Sequence, residues 1–216
     1  MTISPKYSFL LLLFFLCFNF ELIAKPFEST YEPLPSVNVL IKNANIYDGE
    51  GNELLQTDIL INDRKIAAIG KDLPVTDDFE IIDASGKWIT PGIIDIHSHM
   101  GVYPAPGVRT SSDGNEATSP VTADVWAEHS MWVQDPQYTL ALSGGVTAFH
   151  VLPGSANLIG GRGVTVKNLQ RNTINSMKFP DAPHSLKMAC GENPKRVYGN
   201  RQQAPSTRMG NIAGYR

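Results

Sequence analysis

The sequence has only two cysteines, Cys17 and Cys190, among its 216 residues. Cys17 lies in an apolar amino-terminal run, so removal of that run leaves Cys190 alone and excludes an internal disulfide. Stability then has to come from packing. Phe15 and Leu16 before Cys17 are bulky, which makes it a poor lipid attachment site. Nowhere do more than two Lys or Arg stand together, and the net charge is only -3. The basic footprint of a nucleic-acid or anionic-lipid binder is therefore missing. A small molecule or short peptide is the expected partner, and nothing in the chain fixes an oligomeric state. With 42% apolar and 18% charged residues, the composition is that of a globular protein.

A second apolar run is also missing. Lys6 precedes apolar residues from Tyr7 to Phe20, followed by Glu21, Leu22, Ile23 and Ala24. This pattern predicts a signal peptide over residues 1–24, although Leu22 occupies a place where a small residue suits the cleavage enzyme better. The run is shorter than the roughly 20 residues a membrane span needs. An uncleaved anchor is the competing reading. The expectation is an exported protein, periplasmic or extracellular, with no stable membrane span after cleavage. Residues 25–36, with Pro26, Pro33 and Pro35, predict an extended leader.

What is present next is a series of short β-branched blocks. Val37 to Ile41, Ile59 to Ile61, Ile66 to Ile69 and Glu80 to Asp83 are separated by turn chemistry at Asp48 to Gly51 and Asn62 to Arg64, which predicts strands of a small sheet. After Pro91-Gly92 the run Ile93 to Ile96 predicts a strand buried on both faces of a parallel sheet. Residues 101–124, with three prolines and three glycines, predict a surface excursion at that strand's carboxyl end. Asp135-Pro136 predicts a helix start and Gly144-Gly145 its end. Strands are expected again at Val146 to Leu152 and Leu186 to Cys190, with helices from Asn193-Pro194 and from a Thr207 cap. Strand, loop, helix and strand in repeating order predict βα units in series and an α/β class.

His97 and His99 fall at the end of the Ile93 strand. Side chains on a strand alternate with period two, so both rings project from one face, as half of a metal site. Neutral imidazole suits zinc and other divalent transition metals. The pair alone is a weak signal, because surface strands and jelly-roll metal sites show the same spacing. Asp95 shares the parity and is expected behind the ligands, its carboxylate receiving a ring N–H; a buried acid satisfied elsewhere is the alternative.

The segment from Pro91 to His99 resembles the first barrel strand of the amidohydrolase superfamily. Ile41 to Gly49 and Asp58 to Gly70 look like the small β-sandwich that these enzymes carry before the barrel. Gly144 to Thr147, Val151 to Asn157 on to Gly163, and Lys187 to Gly199 resemble its imidazolonepropionase-like branch. The resemblance spans residues 37–216. It implies a β-sandwich segment over 37–91 and, over 92–216, the first part of a (β/α)8 TIM barrel with its site at the carboxyl ends of the strands. It also implies one or two divalent metals, zinc first, generating a hydroxide that breaks a C–N bond in an amide, peptide or amidine. The family's remaining ligands and its proton-transfer aspartate come from later strands, which in this numbering lie beyond Arg216. The 125 residues from Gly92 onward compare with about 250 in a typical complete barrel. The expectation is an amino-terminal fragment of a hydrolase. The alternative is a non-catalytic remnant with at most weak metal binding.

Other candidates carry a plainer reading beside the functional one. Glu192 follows a strand and opens a helix, so it is either a metal or substrate group or a carboxylate favoured by the helix dipole. His150 either faces substrate or is a hydrogen-bonded core histidine. Gly160 to Gly163 lacks the Lys-Ser/Thr ending of a phosphate loop and is expected as a glycine-rich βα loop, with Arg162 placed to hold a substrate carboxylate. Lys187 lies too near the start of its strand to serve as a carbamylated metal bridge. His129 and His184 are expected on the surface, and Cys190 as a small buried residue.

Overall fold

The computed structural model describes residues 25–216. The expected signal segment and Cys17 lie outside the described residues. Five strands form the first sheet: β1 (Val39–Tyr47), β2 (Glu53–Asn62), β3 (Lys65–Gly70), β4 (Glu80–Asp83) and β5 (Trp88–Ile89). Their order is β3-β2-β1-β4, with β5 pairing β1 beyond β4. The local sequence explains the two hairpins. Asp48 Oδ1 accepts from the amides of Glu50 and Asn52 at 2.8 and 3.1 Å, closing the β1–β2 turn. Asp63 and Arg64 adopt φ of 47° and 62°, the doubly left-handed conformation that joins twisted antiparallel strands in two residues. The strands make one mixed sheet over a small core of Ala44, Ile46, Ile59 and Ala84. A second, facing layer of the expected sandwich is not among the described residues.

The second sheet is four-stranded, ordered β6 (Ile93–Ser98), β7 (Val146–Val151), β8 (Ile159–Lys167) and β9 (Ser185–Met188). Helix α1 (Gln137–Ser143) connects the parallel pair β6 and β7. Here the expected strand, loop, helix and strand order holds. It does not repeat: β8 is an added strand, antiparallel to both β7 and β9, and it occupies the stretch Gly160 to Gly163 expected as a loop. Glycine lowers strand propensity in a sequence reading, yet these positions need it. A Cβ on Gly163 would lie 2.7 Å from Ser185 Oγ and 2.9 Å from His150 Nε2. Helices α2 (Glu192–Gly199) and α3 (Arg208–Tyr215) follow where the Asn193-Pro194 and Thr207 signals put them.

Strand β6 is not buried on both faces. It is the edge of the sheet, paired only with β7 among the described residues, and Ile94 and Ile96 are 63% and 77% exposed. The main core instead lies on β7, β8, helix α1, the 101–136 segment and the loop after β8: Val102, Ala127, Met131, Tyr138, Phe149, Val151, Val164, Val166 and Met177. The expected surface excursion is thus anchored inward at Val102. Buried Asp135 holds it, its Oδ2 accepting from the Gly101 amide at 2.9 Å while Oδ1 accepts from the Gln137 amide at 3.0 Å and starts α1.

Residues 25–36 form neither helix nor strand, and they are bonded to the rest of the chain. The Thr30 amide donates to Asn175 O, Ser29 Oγ to Lys178 O, and Lys178 Nζ to Phe27 O, at 3.0, 2.9 and 2.6 Å. At the far end, Thr207 Oγ1 accepts from the Gly210 amide at 3.0 Å and caps α3. Thr207→Ala is expected to lower the stability of the full chain by about 1 kcal/mol. Urea unfolding measures this, and an unchanged midpoint would mean that the cap contributes nothing.

Candidate metal centre

His97 and His99 do project together. Their ring centroids are 5.3 Å apart and the planes nearly perpendicular at 83°. Ser98 between them is buried and paired with Val151, which fixes the alternation. His99 Nδ1 lies 2.9 Å from the carbonyl of Leu152. A carbonyl only accepts, so Nδ1 carries a proton and donates it, and in the neutral ring the lone pair is the one on Nε2. Tyr103 packs edge-on against the same ring at 5.7 Å.

His97 has a different neighbour. Lys187 Nζ, on β9, donates to His97 Nε2 at 3.2 Å. The Lys187 charge holds the His97 pKa below the ordinary imidazole value, with burial and His99 acting in the same direction and Asp95 opposing. Burial also depresses the Lys187 amine. His97 is therefore favoured in the neutral form, the form in which an imidazole binds metals. Lys187 reaches the pair because β9 spans only Ser185–Met188 and Lys187 is its third residue, close to the carboxyl end. The expected strand ran on to Cys190, whereas β9 ends at Met188, one residue after Lys187.

Asp95 does not receive a ring N–H. Its Oδ1 accepts from the His97 backbone amide at 3.1 Å, and the strand register shifts between Asp95 and Ser98, which breaks the simple parity. Glu192 is exposed at the start of α2 and accepts from Lys195 Nζ at 3.2 Å. Arg162 projects from β8 with its guanidinium over the Trp126 ring, 5.0 Å from the centroid. No hydrogen bond or ring contact joins either residue to His97 or His99 among the described residues. Nor does any group of three or more His, Cys, Asp or Glu side chains there converge as a closed metal cage. His97 and His99 stand as a pair without a third such side chain beside them among the described residues.

His150 has both ring nitrogens engaged, Nδ1 with Thr165 Oγ1 at 2.9 Å and Nε2 with Ser185 Oγ at 2.6 Å. Burial pushes its pKa below the usual 6.5, and His184 and His97 add to this. A histidine with a depressed folded pKa binds protons more readily when unfolded. Its contribution is therefore intact above pH 6.5 and is lost as pH falls toward the folded value. Between pH 7 and 5 His150 is expected to add less than about 1.4 kcal/mol per pH unit to the acid loss of stability, reduced because the ring is only half-buried. His150→Asn should flatten that slope in urea unfolding, and equal slopes would refute the assignment.

Two burial assignments need correction. Cys190 is exposed, not buried. His184 is mostly covered, 3.3 Å from Glu128 Oε2 and edge-on to Trp126 at 4.8 Å. Glu128 and Lys178, which sequence reasoning passed over, form a buried ion pair at 2.7 Å. His129 alone is exposed as expected, although it touches Phe27 of the leader. A cavity of about 490 Å³ is lined by Asp113, Asn115, Asp124 and Trp126 among others, and neither His97 nor His99 lines it.

No family model matches the chain. Over 203 residues, 82% of this chain, it is 36% identical to the amidohydrolase tasK of Hapsidospora irregularis, of which it covers 21%. Over 77 residues, 36% of this chain, it is 42% identical to a dihydroorotase of Lactobacillus helveticus, of which it covers 16%. The crystal structure of an amidohydrolase from Thermotoga maritima MSB8 superposes with a TM-score of 0.75 at 42% identity, over 82% of this chain and 45% of that one. The chain thus spans about a fifth of the curated relative tasK and less than half of the solved structure.

Proposed function

Because the chain belongs to the amidohydrolase superfamily, we propose that it carries the first metal ligands of a metal-dependent hydrolase that breaks a C–N bond in a small molecule or short peptide. His97 and His99 hold the cation through their Nε2 atoms. One observation carries this: two adjacent imidazoles with ring centroids 5.3 Å apart, one of them held through Nδ1 by the Leu152 carbonyl so that Nε2 is left for a cation. A divalent cation there, zinc by ligand type, supplies the Lewis acidity that activates water near neutral pH. The chain's own residues orient the ligands. Leu152 fixes the His99 tautomer and Lys187 holds the His97 ring until the cation takes its place.

In this reading β6, β7 and β9 belong to a (β/α)8 barrel with β8 inserted, and β1–β5 belong to the β-sandwich that precedes it. Amide hydrolysis and deamination draw on the same chemistry. Export of the protein follows from the apolar amino-terminal run. A second reading, a chain that binds metal without turnover, is favoured by the two-ligand count among the described residues. Zinc titration of the purified full chain by calorimetry, with the His97→Ala/His99→Ala variant beside it, tests the proposal. Saturable binding that depends on both histidines supports it. Wild-type protein that takes up no zinc overturns it, and hydrolytic turnover by the loaded chain removes the second reading.

A further inference from the structure

Three strands meet at one imidazole. His150 projects from β7, Thr165 from β8 and Ser185 from β9, and the ring contacts both hydroxyls at 2.9 and 2.6 Å. β9 is not the neighbour of β7, because β8 runs between them. The ring can reach across only because β8 presents Gly163 beneath the contact, where a Cβ would lie 2.7 Å from Ser185 Oγ. A neutral imidazole offers one donor and one acceptor, and a hydroxyl can be either, so both contacts are satisfied in either tautomer. Ser185 is the register partner of Gly163. Lys187, two residues further along β9, projects from the same face and donates to His97 Nε2 at 3.2 Å.

We infer that His150 is a positioning residue for His97: by tying β9 to β7 over Gly163, it sets the Lys187 ammonium that orients the His97 ring. Among the described residues that ring has one hydrogen bond, to Lys187, and one ring contact, to His99. Its orientation therefore depends on where β9 lies. The metal-binding consequence rests on the proposed function, whereas the orientation of the ring does not. Supporting partners of a metal ligand typically change affinity by about 10- to 100-fold.

The test uses ring-nitrogen NMR of the 15N-labelled full chain together with zinc titration. In the wild type, His97 is expected as a single tautomer with Nε2 unprotonated and accepting. Ser185→Ala removes one hydroxyl and leaves the backbone intact. It is expected to give a mixture of His97 tautomers and about 10-fold weaker zinc binding. Gly163→Ala, which forces His150 and Ser185 apart, should do the same, and Ser185→Ala keeps the test decisive should that variant not fold. Lys187→Met should reproduce the tautomer mixture while the His150 ring signals stay put. Thr207→Ala, a remote destabilising control, should leave the His97 signals unchanged, which separates positioning from general loosening. His97 signals in Ser185→Ala identical to the wild type, with zinc affinity within twofold, overturn the inference. Should the wild type bind no zinc, the proposed function fails, and the ring signals alone decide the role of His150.

Discussion

Replacing Lys178 with Met is expected to destabilise the full chain by about 3–5 kcal/mol, the usual cost of stranding one partner of a buried ion pair. The side chains of Lys178 and Glu128 are 4% and 1% exposed, and their charged atoms are 2.7 Å apart. Without the ammonium, Glu128 keeps His184 at 3.3 Å and His129 at 3.7 Å as its remaining neighbours, and its Oε1 already lacks a hydrogen-bond partner. The loss extends to the leader, because Lys178 Nζ also donates to Phe27 O at 2.6 Å. Residues 27–30 would then be held by the Ser29 and Thr30 contacts, both to the same 175–178 segment. Urea unfolding of Lys178→Met, Glu128→Gln and the double variant gives the coupling energy. The double variant should recover much of the loss, since removing both charges removes the uncompensated one. A single-mutant cost below about 0.5 kcal/mol would show that the pair behaves as an ordinary surface contact.

That pair also shows where the sequence stops being informative. Lys and Glu are almost never fully buried unless paired, and the two partners lie 50 positions apart with no periodicity to join them. Features with local causes were legible. The Asn62 to Arg64 turn, the Asp135-Pro136 helix start and the Thr207 cap each depend on residues within a few positions, and each appears where the pattern put it. The shared face of His97 and His99 was legible for the same reason, since period two needs only three residues. Cross-strand relations were not. Lys187 meets His97 from the carboxyl end of β9, a strand that pairs with the inserted β8 and ends at Met188, and a glycine-rich stretch disguised β8 as a loop. The exposure of Ile94 and Ile96 was hidden as well, because an apolar run reports what a strand is suited to bury, not what covers it.

Loss of both histidines should have the largest effect on binding. His97→Ala/His99→Ala is expected to weaken zinc binding by well over about 100-fold, since even residues that merely support a ligand are worth about 10- to 100-fold. The two single variants should differ in kind. His99 has its tautomer fixed by Leu152, so its Nε2 needs no rearrangement to bind. His97 has to exchange the Lys187 contact for the cation. His99→Ala should therefore remove the preformed ligand and slow capture as well as weaken it, whereas His97→Ala should chiefly speed release. Stopped-flow measurement with a zinc-sensitive dye separates the two, and chelator competition gives the equilibrium constants. His184→Ala is the control, since His184 is held by Glu128 and Trp126 and has no hydrogen bond or ring contact with His97 or His99. Its zinc affinity should match the wild type. A double histidine variant that binds zinc as tightly as the wild type would move the metal elsewhere in the chain and leave the pair as an ordinary strand-end feature.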